Sequence, residues 1–206
     1  MVDHLLTWLQ IRDQVDWESA PAIRKSGNSH DGVADFVNSI VRQRDPDRAH
    51  RLLAALEQVR TAGREPLTFA LLSSWQHEVL GEEQPGFRTA PAFAKRGRER
   101  YGLNPDTPQI FDRCLAQSAD PLPLAARAAR AYLDVAFFHP FPDGNARAAM
   151  LALYFVLARE EVLLGQAAPI LLTVRRADDA AGAFALAHLI AVLANAVIAR
   201  SEPATP

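Results

Sequence analysis

A chain of 206 residues is long enough for one sizeable domain with its own core. Apolar residues make up 49% of it and charged residues 22%, which excludes a disordered or fibrous chain, and a formal net charge of −2 supplies no overall field for nucleic acid or an anionic membrane. The single cysteine, Cys114, excludes an intrachain disulfide and a cysteine-based zinc site, and fits a reducing, cytoplasmic setting.

In chain order, the amino terminus MVDHLLTWLQIRDQ carries acids early and no uninterrupted apolar stretch, so it does not read as a signal peptide. Helical spacing of apolar residues follows over 33–41, 52–59, 69–80, 124–138 and 150–164, and Pro46, Pro66, Pro121 and Pro123 stand where helices would begin. Trp8, Trp17 and Trp75 fall on apolar helical patterns and read as core, as does Cys114 within IFDRCLAQ. His77-Glu78 begins an HExxH pattern, but Gly81 occupies the second ligand position, which excludes a zinc protease. GFRTAPAFAK, residues 86–95, partly alternates and predicts a short hairpin. The basic run 95–100 reads as a solvated loop, or in a functional reading as a docking point for a target. PILLTV, 169–174, is β-rich but isolated. The uncharged stretch 180–199 is long enough to span a bilayer, yet its alanine content, His188 and Asn195 favour an interior helix. Residues 201–206 read as a disordered tail. The whole predicts an all-α bundle with a small β-hairpin.

HPFPDGNARAAM, 139–150, does not belong to that anonymous pattern. Pro140 ends a helix at His139, Phe141 is apolar in a polar loop and predicts a plug into the core, and Gly144 permits a tight turn. From Asn145 a strong helix former begins, so its first turn offers free N–H groups to an anion such as phosphate. Asp143 is a suitable oxygen ligand for a magnesium ion bridging phosphates, Arg147 can add a charge-assisted bond, and His139 has the pKa range to take a proton from a hydroxyl. The same residue types also serve a capped helix and a satisfied histidine.

These twelve residues resemble the signature of the Fic/Doc family, HPFx(D/E)GN followed by a small or basic residue, an arginine and often a second arginine. His139, Pro140, Phe141, Asp143, Gly144, Asn145 and Arg147 match, and the likeness runs over 67–164. The resemblance implies a Fic-fold helical bundle with a β-hairpin flap, and a transferase that moves the AMP portion of ATP onto a Ser, Thr or Tyr hydroxyl of a target protein. His139 would be the base, Asp143 the Mg2+ ligand, and Phe141, Gly144, Asn145, Ala146 and Arg147 the nucleotide-binding set, with Asn145 orienting the phosphate under attack. His139, Asn145 and Arg147 would form the catalytic group. The flap, Gly86, Phe87, Arg88 and Thr89, would hold an extended target segment by β-augmentation. On this basis 1–62 is an N-terminal helical region carrying a degenerate inhibitory helix, 63–200 the catalytic domain and 201–206 the tail.

Two departures stand out. Ala146 replaces a usual glycine, and Met150 stands where many AMP-transferring members have the second arginine, which clamps the terminal phosphates. The inhibitory motif's glutamate is also missing: Ser26-Gly27-Asn28 has serine in its place, or is simply a turn. A Doc-like protein kinase, transfer of another nucleotide-derived group, and a catalytically degenerate Fic-fold binding module therefore stay open beside AMP transfer. Expected partners are a target protein at the flap, and an antitoxin chain or second copy, with no membrane and no specific nucleic acid.

Overall fold

Residues 1–24 and 30–196 are described in the computed structural model; the expectations for Ser26-Gly27-Asn28 and for 201–206 lie outside them. The centre is an antiparallel pair of buried helices, which the preceding and following helices enclose. In order the helices are α1 His4–Arg12, α2 Gly32–Phe36, α3 Arg42–Arg44, α4 Pro46–Thr61, α5 Phe69–Leu80, α6 Thr107–Ala116, α7 Leu124–Phe138, α8 Asn145–Ala158, α9 Ala168–Leu171 and α10 Ala180–Asn195. A one-turn π-bulge, Val37–Val41, joins α2 to α3. The only sheet among the described residues is a hairpin of β1 Ala92–Ala94 and β2 Glu99–Tyr101. The expected all-α bundle with a small hairpin is what forms.

α8 is buried around its circumference, from Ala148 to Leu157, and so can only be an interior helix. α7 lies against it, and the buried Ala125, Ala126, Ala128, Ala129 and Ala131 of α7 are small enough to let neighbouring backbones approach closely. The core takes residues from both 1–62 and 63–200: Leu5, Trp8, Leu52 and Val59 pack with Leu72, Phe138 and Phe155.

Helix starts follow local chemistry. Pro46 opens α4 behind Asp45, whose carboxylate accepts from the Arg48 N–H at 2.9 Å. Pro66 and Pro121 do not open helices; Thr68 caps α5 with its hydroxyl, and Pro123 is itself the cap of α7. The prolines that do stand in first turns include Pro108 in α6 and Pro169 in α9. The β-rich run 169–174, read as isolated, opens within the helical turn α9: Ile170 is buried, and no partner strand is at hand among the described residues. The helix read as starting at Asn145 does start there but ends at Ala158, short of the apolar spacing that runs to 164, and Glu161 then turns the chain with φ +61°.

The hairpin is shifted from 86–95 to 92–101. β1 and β2 pair antiparallel in the register Ala92↔Tyr101, Phe93↔Arg100, Ala94↔Glu99, and the turn uses positive φ at Lys95, Arg96 and Gly97. The basic run is therefore the turn and second strand rather than a free loop. α10 packs on α7, and the Asn195 amide is satisfied by the Arg24 N–H and the Ala22 carbonyl. No described helix is long and apolar enough to cross a membrane.

α1 is anchored to α7 by a buried polar cluster. Asp134, with 0% of its surface exposed, accepts from Trp8 Nε1 at 2.9 Å and from Arg12 Nε and Nη2 at 2.7 and 2.8 Å. Breaking such a buried pair leaves an uncompensated charge, so Asp134→Leu should destabilise the protein by about 3–5 kcal/mol in urea denaturation. The Arg12→Met, Asp134→Leu double variant should recover most of that loss. A single-variant loss below about 1 kcal/mol, the scale of a surface pair, would show that the cluster is not a buried anchor.

Candidate active site

The site is built where α7 hands the chain to α8. His139 ends α7 in the left-handed conformation, φ +50°, with its N–H donating to Val135 O at 3.2 Å. Pro140 cannot continue the helix. Phe141 is fully buried and stacks on Phe69 with ring centroids 5.3 Å apart, as its apolar character predicted. The buried Asn145 side chain then staples the loop to itself: its Oδ1 accepts from Phe141 N–H at 2.9 Å and its Nδ2 donates to Phe141 O at 2.8 Å. The side chain expected to orient a phosphate thus also braces the loop, because a loop this tight between buried helices must satisfy its own backbone, and the brace uses one of the two Nδ2 hydrogens.

Gly144 has φ +76°, and a Cβ there would come within 2.2 Å of Gln76 Nε2. Gln76, fully buried on α5, donates that Nε2 to Asp143 O at 2.7 Å. Sequence reasoning missed it; a glutamine at a core position of an apolar helix was the available signal. α8 starts with no side-chain cap; the Arg147 and Ala148 N–H groups donate to Gly144 O at 2.9 and 3.0 Å, which leaves those of Asn145 and Ala146 as the donors an anion in the cleft would meet. Arg147 Nη2 lies 3.3 Å from Asp143 Oδ2 and Nη1 3.5 Å from Val79 O, both long, and burial lowers the pKa of the guanidinium from its ordinary value.

A cleft of about 1130 Å³ separates this loop from the flap, with His139, Asp143, Gly144, Asn145, Ala146 and Arg147 on one wall and the expected flap residues on the other. His139 Nδ1 is 2.9 Å from Ala136 O, which makes Nδ1 the protonated nitrogen and leaves Nε2 an acceptor. Its ring stacks on Tyr101 at 4.1 Å and 12°. Burial pushes its pKa below 6.5, the nearby Arg88 charge pushes the same way, and the Ala136 carbonyl and Glu99 oppose them. The imidazole is neutral at pH 7.

Of the flap residues, Gly86 and Thr89 are exposed and Phe87 is half-buried against Phe69 and Phe111. The Arg88 side chain does not face a target. It is buried, and it donates to the carbonyls of His139 at 2.8 Å, Ala90 at 2.7 Å, Phe138 at 3.2 Å and Gly102. A cation with every edge in contact with carbonyl oxygens is a clamp between flap and motif loop. Tyr101, also missed, looked like one aromatic in a basic run.

No group of three or more metal-ligating side chains occurs among the described residues. Asp143 alone is available: its carboxylate is 82% exposed, with Oδ1 accepting from Gly144 N–H at 2.6 Å. One carboxylate fits magnesium delivered with a polyphosphate, since that ion takes one or two protein oxygens and completes its shell from phosphates and water. Met150 is buried beneath the first turn of α8. Gly144→Ala combines a left-handed alanine with a collision at Gln76, and should cost about 1–3 kcal/mol. Thermal or urea unfolding of Gly144→Ala, Gln76→Ala and the double variant should show non-additive losses; strict additivity would remove Gln76 from the account of the turn.

No curated protein matches the chain significantly in sequence. A family model described as the Fic/DOC family matches residues 66–157. Among solved structures, IbpAFic2, as a His-to-Ala variant in complex with adenylylated Cdc42, superposes with a TM-score of 0.57 at 13% identity, covering 89% of this chain and 69% of that one. IbpAFic2 by itself gives a TM-score of 0.51 at 14% identity, covering 93% and 69%. At such identities the likeness is one of fold. That fold agrees with the match of residues 66–157 to the Fic/DOC family model.

Proposed function

We propose that this chain is a protein AMP-transferase, using ATP with magnesium to modify a hydroxyl on a target protein. The observation that carries the reading is the His139 tautomer. Nδ1 is committed to Ala136 O, so Nε2 is an acceptor in the same cleft as the uncapped start of α8. The first-turn N–H groups and Arg147 would hold the α- and β-phosphates. Asp143 would take the magnesium ion, which when bound neutralises phosphate charge. The target hydroxyl oxygen bonds to the α-phosphorus, its proton passes to His139 Nε2, and the bond to the bridging oxygen breaks to release pyrophosphate. Gly144 and the Asn145 brace keep these groups placed, so catalysis is mostly positioning and electrostatics.

The hairpin supplies a place for the target. β2 already meets Asp3 on its outer edge, so the open edge is that of β1, which lines the cleft and carries Phe93, 58% exposed. An extended target segment could add there by backbone bonds. The solved complex of IbpAFic2 with adenylylated Cdc42 supports a protein as the acceptor.

ATP labelled at the α- or the γ-phosphate separates the chemistries. With magnesium, α-label should enter the protein itself or lysate proteins, and His139→Ala should reduce it by about 10²–10⁴-fold. Label from the γ-position alone would make the protein a kinase; no label, with His139→Ala behaving as wild type, would leave a binding module. The rate should rise with pH as the imidazole loses its proton, with a midpoint below 6.5 because burial lowers the His139 pKa. A midpoint above 6.5 would argue against His139 as the base.

A further inference from the structure

A second cavity, about 370 Å³, adjoins the cleft, and Ala146 and Arg147 line both. Its volume lies at the small end of ordinary ligand pockets, about 300–1,000 Å³. The walls are Met150, Leu52, Leu171, Phe36, Ile40 and Tyr132. Arg44 and Arg48 join Arg147 there, against the single carboxylate of Asp45. That carboxylate is already engaged, with the Arg48 N–H at 2.9 Å and Arg48 Nε at 3.3 Å.

Such a cavity is a poor seat for the terminal phosphates of a nucleoside triphosphate. The three arginines can hold the oxygens of one phosphate, but the apolar wall returns no hydrogen bonds for the water that a second, strongly hydrated phosphate would displace there. One phosphate at the arginines with a flat ring over Met150, Phe36 and Tyr132 satisfies both halves, since thioether sulfur and aromatic faces both favour ring contact. Resting on the AMP-transfer reading, we propose that this cavity holds the donor's leaving group, and that this group is a phosphomonoester of an aromatic or heterocyclic moiety. The preferred donor is then a nucleoside diphosphate esterified on its distal phosphate, with ATP a slower substitute. The step balances as before: the hydroxyl oxygen bonds to the α-phosphorus, the bond to the bridging oxygen breaks, the organic monophosphate leaves with that electron pair, and His139 Nε2 takes the proton.

ATP labelled at the α-phosphate and diadenosine diphosphate labelled at both of its equivalent phosphorus atoms provide the test on the full chain with magnesium. kcat/KM for label incorporation should favour the dinucleotide by about tenfold or more. Ile40→Trp, at a half-buried rim position, should plug the cavity, cut the dinucleotide rate by about tenfold and leave the ATP rate unchanged. Equal or better use of ATP, or an Ile40→Trp variant that slows both donors alike, overturns the proposal while leaving AMP transfer in place. Label from neither donor overturns both.

Discussion

The structure depends on reversing the chain within a few residues between two helices that are both buried. A loop in that position cannot leave its backbone polar groups to water, and each one left unmade would cost about 1–3 kcal/mol. The Asn145 amide answers both polar groups of Phe141, Gln76 answers the Asp143 carbonyl, and Arg88 answers the carbonyls at the end of α7. Gly144 supplies the backbone conformation that lets Gln76 come so near. What looks like a catalytic cluster is therefore first a solution to a burial problem. The rigidity it needs as a site follows from that solution.

The flap is tied into the same system. Asp3, while capping α1, also accepts from Gly102 N–H at 3.0 Å and from Arg100 Nη1 at 2.6 Å, and so pins β2 to the start of the chain. Arg88 N–H donates to Pro140 O at 2.9 Å, which joins the other end of the flap to the motif loop. Tyr101 lies flat on the His139 ring. A displacement of the hairpin would thus disturb the orientation and desolvation of the His139 imidazole as well as the open edge of β1. N-terminal helix, hairpin and imidazole form one mechanical unit.

The legible parts of the sequence were those where a residue type has one structural use. Pro140, Phe141 and Gly144 each forced their conformation or burial, and 69–80 carried a clean helical period that begins and ends as read. Roles that depend on a distant acceptor were not legible. Arg88 shows a charge in the sequence, but nothing there says that it meets carbonyls some fifty positions away. Asn145 was read for its donor toward a ligand, whereas its nearest partner is the loop it belongs to. Strands of three residues are too short for a period of two to register them, so the hairpin was placed about six residues early. The 169–174 run shows the converse: β-rich composition without a neighbouring strand settles as a helical turn.

Met150 fits this pattern of residues chosen by their surroundings. At 3% exposure, an arginine in its place would need acceptors for its donors, and the cavity beside it offers one carboxylate that Arg48 already occupies. A methionine there meets Leu52, Phe36 and Tyr132 as neighbours of its own kind, while the positive charge is carried at the rim by Arg44 and Arg48 on α3 and α4. The methionine, the apolar wall and the cations on the neighbouring helices together define one cavity.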